Sequence, residues 1–196
     1  LDQILALLES DKPSEQQLAI KELRRKGAPS VIALADMFKD PALEDRFQTI
    51  RRALVIMGSH TRDPLVGYLG SSHKAQVANV IEVLSYLRET RIAAALLSHA
   101  IVNEDQTVVG QAARKALVRL VGAIPSNKDA EEYLRTRLDY YLEGNIDALP
   151  DENMKIAVWK WDNAAQSITM QSYDIRVGSL IDVARVAADL YKLDPE

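Results

Sequence analysis

The sequence has no cysteine, which excludes disulfide bonds, thiolate metal sites and cysteine nucleophiles. It also has no long apolar run. The longest uncharged apolar stretch, residues 92–103, has twelve residues, whereas a membrane-spanning helix needs about twenty. We therefore expect a soluble protein of the cytoplasm or the periplasm that does not insert into a membrane.

An excess of basic residues is lacking as well, because 24 Lys and Arg stand against 28 Asp and Glu, for a net charge of -4. A general nucleic-acid binder has the opposite balance, so nucleic acid is not an expected partner. The histidines His60, His73 and His99 lack the spacing of a metal site. Motifs for nucleophiles or phosphate binding are also missing. The sequence therefore predicts no catalytic residue, no metal and no cofactor.

What the sequence does contain is a repeat of 30 to 33 residues. An anchoring leucine recurs at this spacing, at Leu23, Leu54, Leu84 and Leu117. Four positions before each leucine stands a small or aliphatic residue, namely Ala19, Ile50, Val80 and Ala113. Residues four apart share one face of a helix, so each unit is predicted to begin with an amphipathic helix.

A second helix is predicted to follow in each unit. Gly27, Gly58 and Gly122 stand where the first helix would end in a left-handed turn, and Pro29 and Pro64 occupy positions favoured at helix starts. The second helices are predicted within residues 29–38, 63–70, 90–102 and 128–144. The opening residues resemble the second helix of a truncated unit and lack an initiator Met, so we expect a piece of a longer protein.

The fourth unit has the most regular pattern, with Asp105, Val108, Ala112, Ala113, Ala116, Leu117 and Gly122. In this pattern the chain resembles the HEAT-repeat family, particularly its short bacterial, lyase-type repeats. The arginine typical of the family is kept only at Arg46. The resemblance covers residues 1–145, with the first unit truncated. It implies an all-α fold, a right-handed α-α superhelix (a HEAT-like solenoid), whose second helices line a concave binding surface.

The repeat pattern stops after residue 144. Residues 154–162 and 167–174 are rich in β-branched and aromatic residues, which predicts a small β-hairpin with Trp159 and Trp161 on one face. A final helix is predicted from Ile175, with apolar residues at helical spacing at Leu180, Ile181, Ala184, Ala187, Ala188 and Tyr191. Its ending resembles a tetratricopeptide-repeat helix. We interpret residues 146–196 as a C-terminal cap or the start of a further helical repeat.

Aromatic residues and arginine supply candidate partner-binding side chains, since these residue types dominate the binding energy of many protein interfaces. The candidates are Tyr133, Arg137, Tyr140, Trp159 and Trp161. For the tyrosines the favoured alternative is packing into the core. For the tryptophans it is a structural cap, because the exposed end of a stack of repeats has an apolar face that needs cover.

The expected function is non-catalytic binding of a protein or peptide along the concave surface, as a scaffold module of a larger protein. The alternative is an enzyme of the bilin-lyase type acting on a chromophore-protein substrate, which requires a concave pocket with converging polar groups. A third hypothesis, nucleic-acid binding, requires a continuous basic face. The basic pairs Arg24-Arg25, Arg51-Arg52 and Arg114-Lys115 are interrupted by Ile81-Glu82, so we interpret them as a solvated convex face. The sequence leaves the oligomeric state open.

Overall fold

The computed structural model describes residues 2–102 and 107–194, so that Asp105, and also the side chain of His60, lie outside the described residues. The described part is mostly helical, with one small antiparallel sheet. Its helices and strands are α1 (Asp2–Leu8), α2 (Pro13–Lys26), α3 (Ala28–Asp36), α4 (Phe47–Met57), α5 (Arg62–Gly67), α6 (Lys74–Tyr86), α7 (Ala93–Ile101), α8 (Val108–Val121), α9 (Asn127–Leu142), β1 (Lys155–Asp162), β2 (Ser167–Asp174) and α10 (Ile175–Leu193). Short 3-10 turns occupy Met37–Lys39, Pro41–Arg46, Gly58–Thr61, Tyr68–Gly70 and Thr90–Ile92.

The first helices of the predicted units are α2, α4, α6 and α8. They pack in sequence, since α2 contacts α4, α4 contacts α6 and α6 contacts α8. The anchoring leucines are fully buried or nearly so, at Leu23, Leu54, Leu84 and Leu117. The repeated leucine therefore lies on the core-facing side of each of these four helices, and the helices themselves are as predicted.

The second helices are α3, α5, α7 and α9. Pro29 and Pro64 lie in the first turns of α3 and α5, where a missing N–H costs little. Gly27, Gly58 and Gly122 separate first from second helices, and all three have positive φ. Gly122 adopts the predicted left-handed cap, whereas Gly27 and Gly58 combine positive φ with an extended ψ.

The predicted hairpin is confirmed, because β1 and β2 pair antiparallel around the turn at residues 163–166. Trp159 pairs with Met170 and Trp161 with Ile168, so that both tryptophans lie on one face of the hairpin. Asp162 stabilises the turn, since its Oδ1 accepts hydrogen bonds from the N–H groups of two turn residues at 2.8 and 3.0 Å. The turn is therefore held by hydrogen bonds of its own.

The C-terminal segment, residues 155–193, lies along the second helices. β1 packs against α5 and the turn Tyr68–Gly70, while α10 packs against α7 and α9. The sequence predicts that this region caps the stack or begins a further repeat; in the structure it covers a side of the repeats. The surface expected to be concave and free is therefore in contact with β1 and α10.

One continuous apolar core joins the repeats to the C-terminal segment. It includes buried residues from Leu5 in α1 to Val186 in α10, with Trp159 and Trp161 packed against it. The hairpin and α10 are thus integral to the fold. No helix in the described ranges is long and apolar enough to cross a membrane.

Candidate functional site

The hairpin approaches two glycines closely, Gly67 of α5 and Gly70 of the turn that follows it. A Cβ atom on Gly67 would lie 3.1 Å from the Cβ and 3.2 Å from the carbonyl carbon of Trp159. A Cβ atom on Gly70 would lie 3.3 Å from the Cβ of Trp161. Trp159 therefore lies against Gly67, and Trp161 lies against Gly70. Sequence reasoning missed this site, although its signal is visible as the pair of glycines three apart in a predicted second helix.

The tip of the hairpin contacts the segments that follow α3 and α5. The rings of Trp161 and Tyr68 have centroids 5.9 Å apart, and Lys39 Nζ lies 5.0 Å from the centroid of the Trp161 ring, within the range of a cation–π contact. Lys39 Nζ also donates to the carbonyl oxygen of Gln166 at 3.0 Å, and His73 Nε2 is 3.1 Å from its Oε1. Both tryptophans are therefore engaged by the repeats.

A cavity of about 140 Å³ remains between the second helices, β1 and α10. Its wall combines apolar side chains such as Val66 with the carboxylates of Asp63 and Asp182 and the guanidinium groups of Arg91 and Arg185. Arg91 Nη2 is 2.9 Å from Asp63 Oδ1, and Arg185 Nη1 is 3.2 Å from Asp182 Oδ1. These lining charges are therefore paired with one another.

Two carboxylates near this cavity have shifted pKa values of opposite sign. Burial raises the pKa of Asp182, and the attraction of Arg185 offsets only part of this effect. For buried Glu89, burial alone would raise the pKa, but the hydrogen bonds from Arg91, one of them 2.7 Å long, outweigh it and lower the pKa. Within residues 2–102 and 107–194, no three His, Asp and Glu side chains form a group that could hold a metal ion.

Three of the five predicted binding residues lie together on α9. The Arg137 guanidinium is 4.6 Å from the ring centroids of both Tyr140 and Tyr141, and it forms an ion pair with Asp147. Tyr140 OH donates to the carbonyl oxygen of Ile146 at 3.2 Å, so Arg137 and Tyr140 hold the loop after α9. Tyr133 remains exposed. The structure thus separates this group on α9 from Trp159 and Trp161 of β1, which pack against α5 and the turn Tyr68–Gly70.

The face of α10 that packs on the protein is not the apolar stripe predicted from the sequence. It consists of the buried residues Gly178, Ser179 and Val186, with Val183, Leu190 and Leu193 partly buried against the core. The apolar residues exposed to solvent form a second face, here called the outer face of α10, made of Val177, Leu180, Ala184, Ala187, Ala188 and Tyr191. Leu180 is 53% and Tyr191 67% exposed. The helix is therefore apolar on two sides, and only one of them is used inside the described structure.

The recurring basic pairs of the first helices make several contacts within the chain. Arg24 donates to the carbonyl oxygen of Ile56, and Arg51 Nε is 3.4 Å from Glu82 Oε2. Arg25 forms an ion pair with Glu22 of its own helix at 2.9 Å. These neighbours reduce the positive charge offered to a polyanion.

Comparison of the chain with protein-family models, with curated proteins and with solved structures gave no match. Its function is therefore inferred from the geometry described above.

Proposed function

We propose that this chain is a non-catalytic, protein-binding scaffold module built on HEAT-like repeats. The proposed right-handed superhelix is supported by the order of the packing, in which successive first helices lie side by side and each is followed by a second helix. Such a stack supplies a rigid wall that can carry a binding surface.

The observation that carries the proposal is the exposed outer face of α10. Large apolar side chains that share one exposed helical face indicate an interaction surface, and here Val177, Leu180 and Tyr191 do so along four turns. The second helices, where the HEAT resemblance implies binding, are in contact with β1 and α10. We therefore assign partner binding to the outer face of α10 instead of the concave side.

The bilin-lyase alternative receives less support. Pockets for ligands of that size have volumes of roughly 300–1,000 Å³. On the side of the second helices, where the resemblance implies binding, the cavity beside α10 has about 140 Å³, and the larger grooves of about 420 and 540 Å³ lie on the first helices instead. The charged groups of the cavity beside α10 are also paired with one another, as Arg91 is with Asp63 and Glu89. The cavity on the side of the second helices is therefore a poor match for a chromophore.

Site-directed photocrosslinking tests the proposal. A benzoylphenylalanine at Ala187, on the outer face of α10, should crosslink a discrete protein in an extract of the source cells, and Leu180→Asp in the same chain should remove the product. The matched control carries the crosslinker at Ile56, an exposed residue of the first helix α4. Crosslinking from Ile56 alone, or a product that survives Leu180→Asp, would contradict binding at α10.

A further inference from the structure

A groove lies along the first helices, on a part of the surface that neither β1 nor α10 lines. It has a volume of about 540 Å³ and is formed by α4, α6 and α8 together with the turn Pro41–Arg46. Helix α6 is its floor, because α6 contacts both α4 and α8. The floor includes the small residues Ala75 and Ala78, so that a ligand can approach α6 closely. We call this surface the first-helix groove.

The repeat brings residues of the three helices to corresponding levels along the groove. The anchoring leucines occupy the same position in each first helix. In that register Asp45 corresponds to Ala75, near the start of α6. Arg119 corresponds to the end of α6, where its Nη1 donates a hydrogen bond to the hydroxyl group of Ser85. About eleven residues of helix separate the two levels, so the ends of the groove are about 17 Å apart.

The charges along the groove are sorted by sign. Four of the side chains that line it form no ion pair with another described residue. Two of them, Glu44 and Asp45, lie at the start of the groove, and the other two, Lys115 and Arg119, lie at its end. Lys74, beside the start, offsets only one of the two negative charges. A ligand in the groove therefore meets negative charge at one end and positive charge at the other.

The guanidinium group of Arg119 is held in place without a carboxylate. It lies over the ring of Tyr86, 3.9 Å from the ring centroid, within the range of a cation–π contact. The hydroxyl group of Ser85 donates to the carbonyl oxygen of Glu82 at 2.7 Å, which leaves its oxygen free to accept from Arg119. The Glu82 carboxylate pairs instead with Arg51, 3.4 Å away. The remaining N–H groups of Arg119 can therefore bind a carboxylate of a ligand.

Two amide side chains flank the middle of the groove. Gln48 of α4 and Gln111 of α8 are exposed, and both correspond to Ala78 in the register of the repeat. A carboxamide both donates and accepts hydrogen bonds, so this pair can bind the N–H and C=O groups of an extended backbone over Ala78. A helix satisfies its backbone internally and would need an apolar surface instead. Among the described residues of the lining, only Val108 is a large, exposed apolar side chain.

A second copy of this chain fits the groove poorly. Two copies turned end to end would bring opposite charges together. Two concave surfaces placed face to face would, however, leave a gap between their floors, whereas the core of a stable interface is packed as closely as a protein interior. The shape of the groove therefore favours a narrow segment of another chain.

We propose that the first-helix groove binds an extended peptide segment with acidic residues at one end and basic residues about five positions away. That spacing follows from the length of the groove and the rise of an extended chain, about 3.3 Å per residue. The acidic residues bind Lys115 and Arg119, and the basic residues bind Glu44 and Asp45. This site is separate from the outer face of α10 and does not depend on partner binding there.

Three synthetic peptides test this proposal by fluorescence anisotropy with the full chain. In the first, two lysines and two glutamates are separated by three uncharged residues, and in the second the composition is the same but each end carries one lysine and one glutamate. The third is the first peptide with a proline in the spacer, which an extended segment tolerates and a helix does not. We expect the first and third to bind and the second to bind at least about tenfold more weakly, a difference of about 1.4 kcal/mol. Equal binding of the first two would overturn the charge order, and loss of binding by the third would overturn the extended conformation.

A matched pair of variants locates the binding. Lys115→Glu should weaken binding of the first peptide at least about tenfold. Arg52→Glu makes the same change in net charge at an exposed residue of α4 that is not part of the lining, and it should bind almost normally because salt screens distant charges. The circular dichroism of both variants should match the parent, because both residues are exposed.

Two results with these variants would overturn the proposal. One is an equal loss of binding in Lys115→Glu and Arg52→Glu, and the other is a dimer in sedimentation velocity that Lys115→Glu disrupts. Crosslinking from Ala187, the test of the proposed function, should be the same in the Lys115→Glu variant as in the parent. The two sites can therefore fail independently.

Discussion

The repeats and the C-terminal segment bury apolar surface in two different ways. In the repeats, side chains on successive first helices are buried in a common core, with Leu54 and Leu84 completely buried. Where the C-terminal segment docks, backbone approaches backbone at Gly67 of α5. A Cβ on Gly67 would fall 3.2 Å from the carbonyl carbon of Trp159 and 3.3 Å from the amide nitrogen of Lys160.

This difference determines how each region responds to a change in side-chain volume. A side chain lost from a helical core leaves a cavity that the neighbours fill only partly. A methyl group added where two backbones touch has no flexible neighbour to displace. The repeats should therefore be most sensitive to truncation, and the docked hairpin to enlargement.

The largest effect is expected from truncation in the repeat core. Leu84→Ala should lower the free energy of unfolding by about 2–5 kcal/mol, because it removes a completely buried side chain and leaves a cavity. Urea unfolding followed by circular dichroism measures this. The control Ile56→Ala, at an exposed position of α4, should cost much less. A loss below about 1 kcal/mol for Leu84→Ala would contradict the role of the repeated leucine.

A smaller and more local effect is expected at the hairpin. Gly67→Ala should cost about 1–3 kcal/mol through overpacking against Trp159, although alanine is the better helix former by about 1 kcal/mol. Because both tryptophans of the chain are on β1, their fluorescence reports docking of the hairpin directly. The emission should shift to the red.

The matched variant for this test is Gly70→Ala, whose added Cβ would make a single contact at 3.3 Å. It should shift the fluorescence less than Gly67→Ala does. If Gly67→Ala instead raised the unfolding midpoint without changing the emission, helix propensity would outweigh the contact. The close approach of the two backbones would then not limit docking.

The elements of both regions could be predicted from the sequence because each depends on local patterns. Leucines at a constant spacing gave the first helices, and alternating apolar residues around a polar turn predicted the hairpin. Docking depends instead on contacts distant in the chain, such as Gly67 with Trp159. A glycine inside a helix does not reveal which segment will approach it, so the position of the hairpin could not be predicted.

The packing of α10 could not be predicted from the sequence either. Leu180, Ala184 and Tyr191 have the spacing of a buried stripe, yet the helix packs through Gly178, Ser179 and Val186. The burial of Ser179 has a specific cause, because its hydroxyl group donates a hydrogen bond to the carbonyl oxygen of Tyr141. Val183, Val186 and Leu190 on the packed side have helical spacing as well, so apolar periodicity predicts that the helix forms but does not tell which of its two apolar faces is buried. Of the five predicted site residues, none lies on the outer face of α10.

The smallest effect is expected in the pH dependence of stability, to which one carboxylate in each region contributes with opposite sign. The pKa of Asp182 in α10 is raised above its ordinary value of 3.8, mainly by burial. The folded chain holds the proton of Asp182 more tightly than the unfolded chain does. The contribution of Asp182 to stability is therefore present below pH 3.8 and declines as the pH rises through the raised pKa. Asp182→Asn should remove this decline and stabilise the chain at pH 7 by less than about 1 kcal/mol.

Glu89 in the repeats provides the control of opposite sign. Its pKa lies below the ordinary 4.5 because the hydrogen bonds from Arg91 outweigh the effect of burial. Its contribution is therefore present above pH 4.5 and is lost as the pH falls through the lowered pKa. Urea midpoints of Asp182→Asn and Glu89→Gln, measured between pH 3 and pH 7, should differ from the parent with opposite slopes. Slopes of the same sign would mean that the two carboxylates experience similar environments, because only the balance of burial and ion pairing distinguishes them.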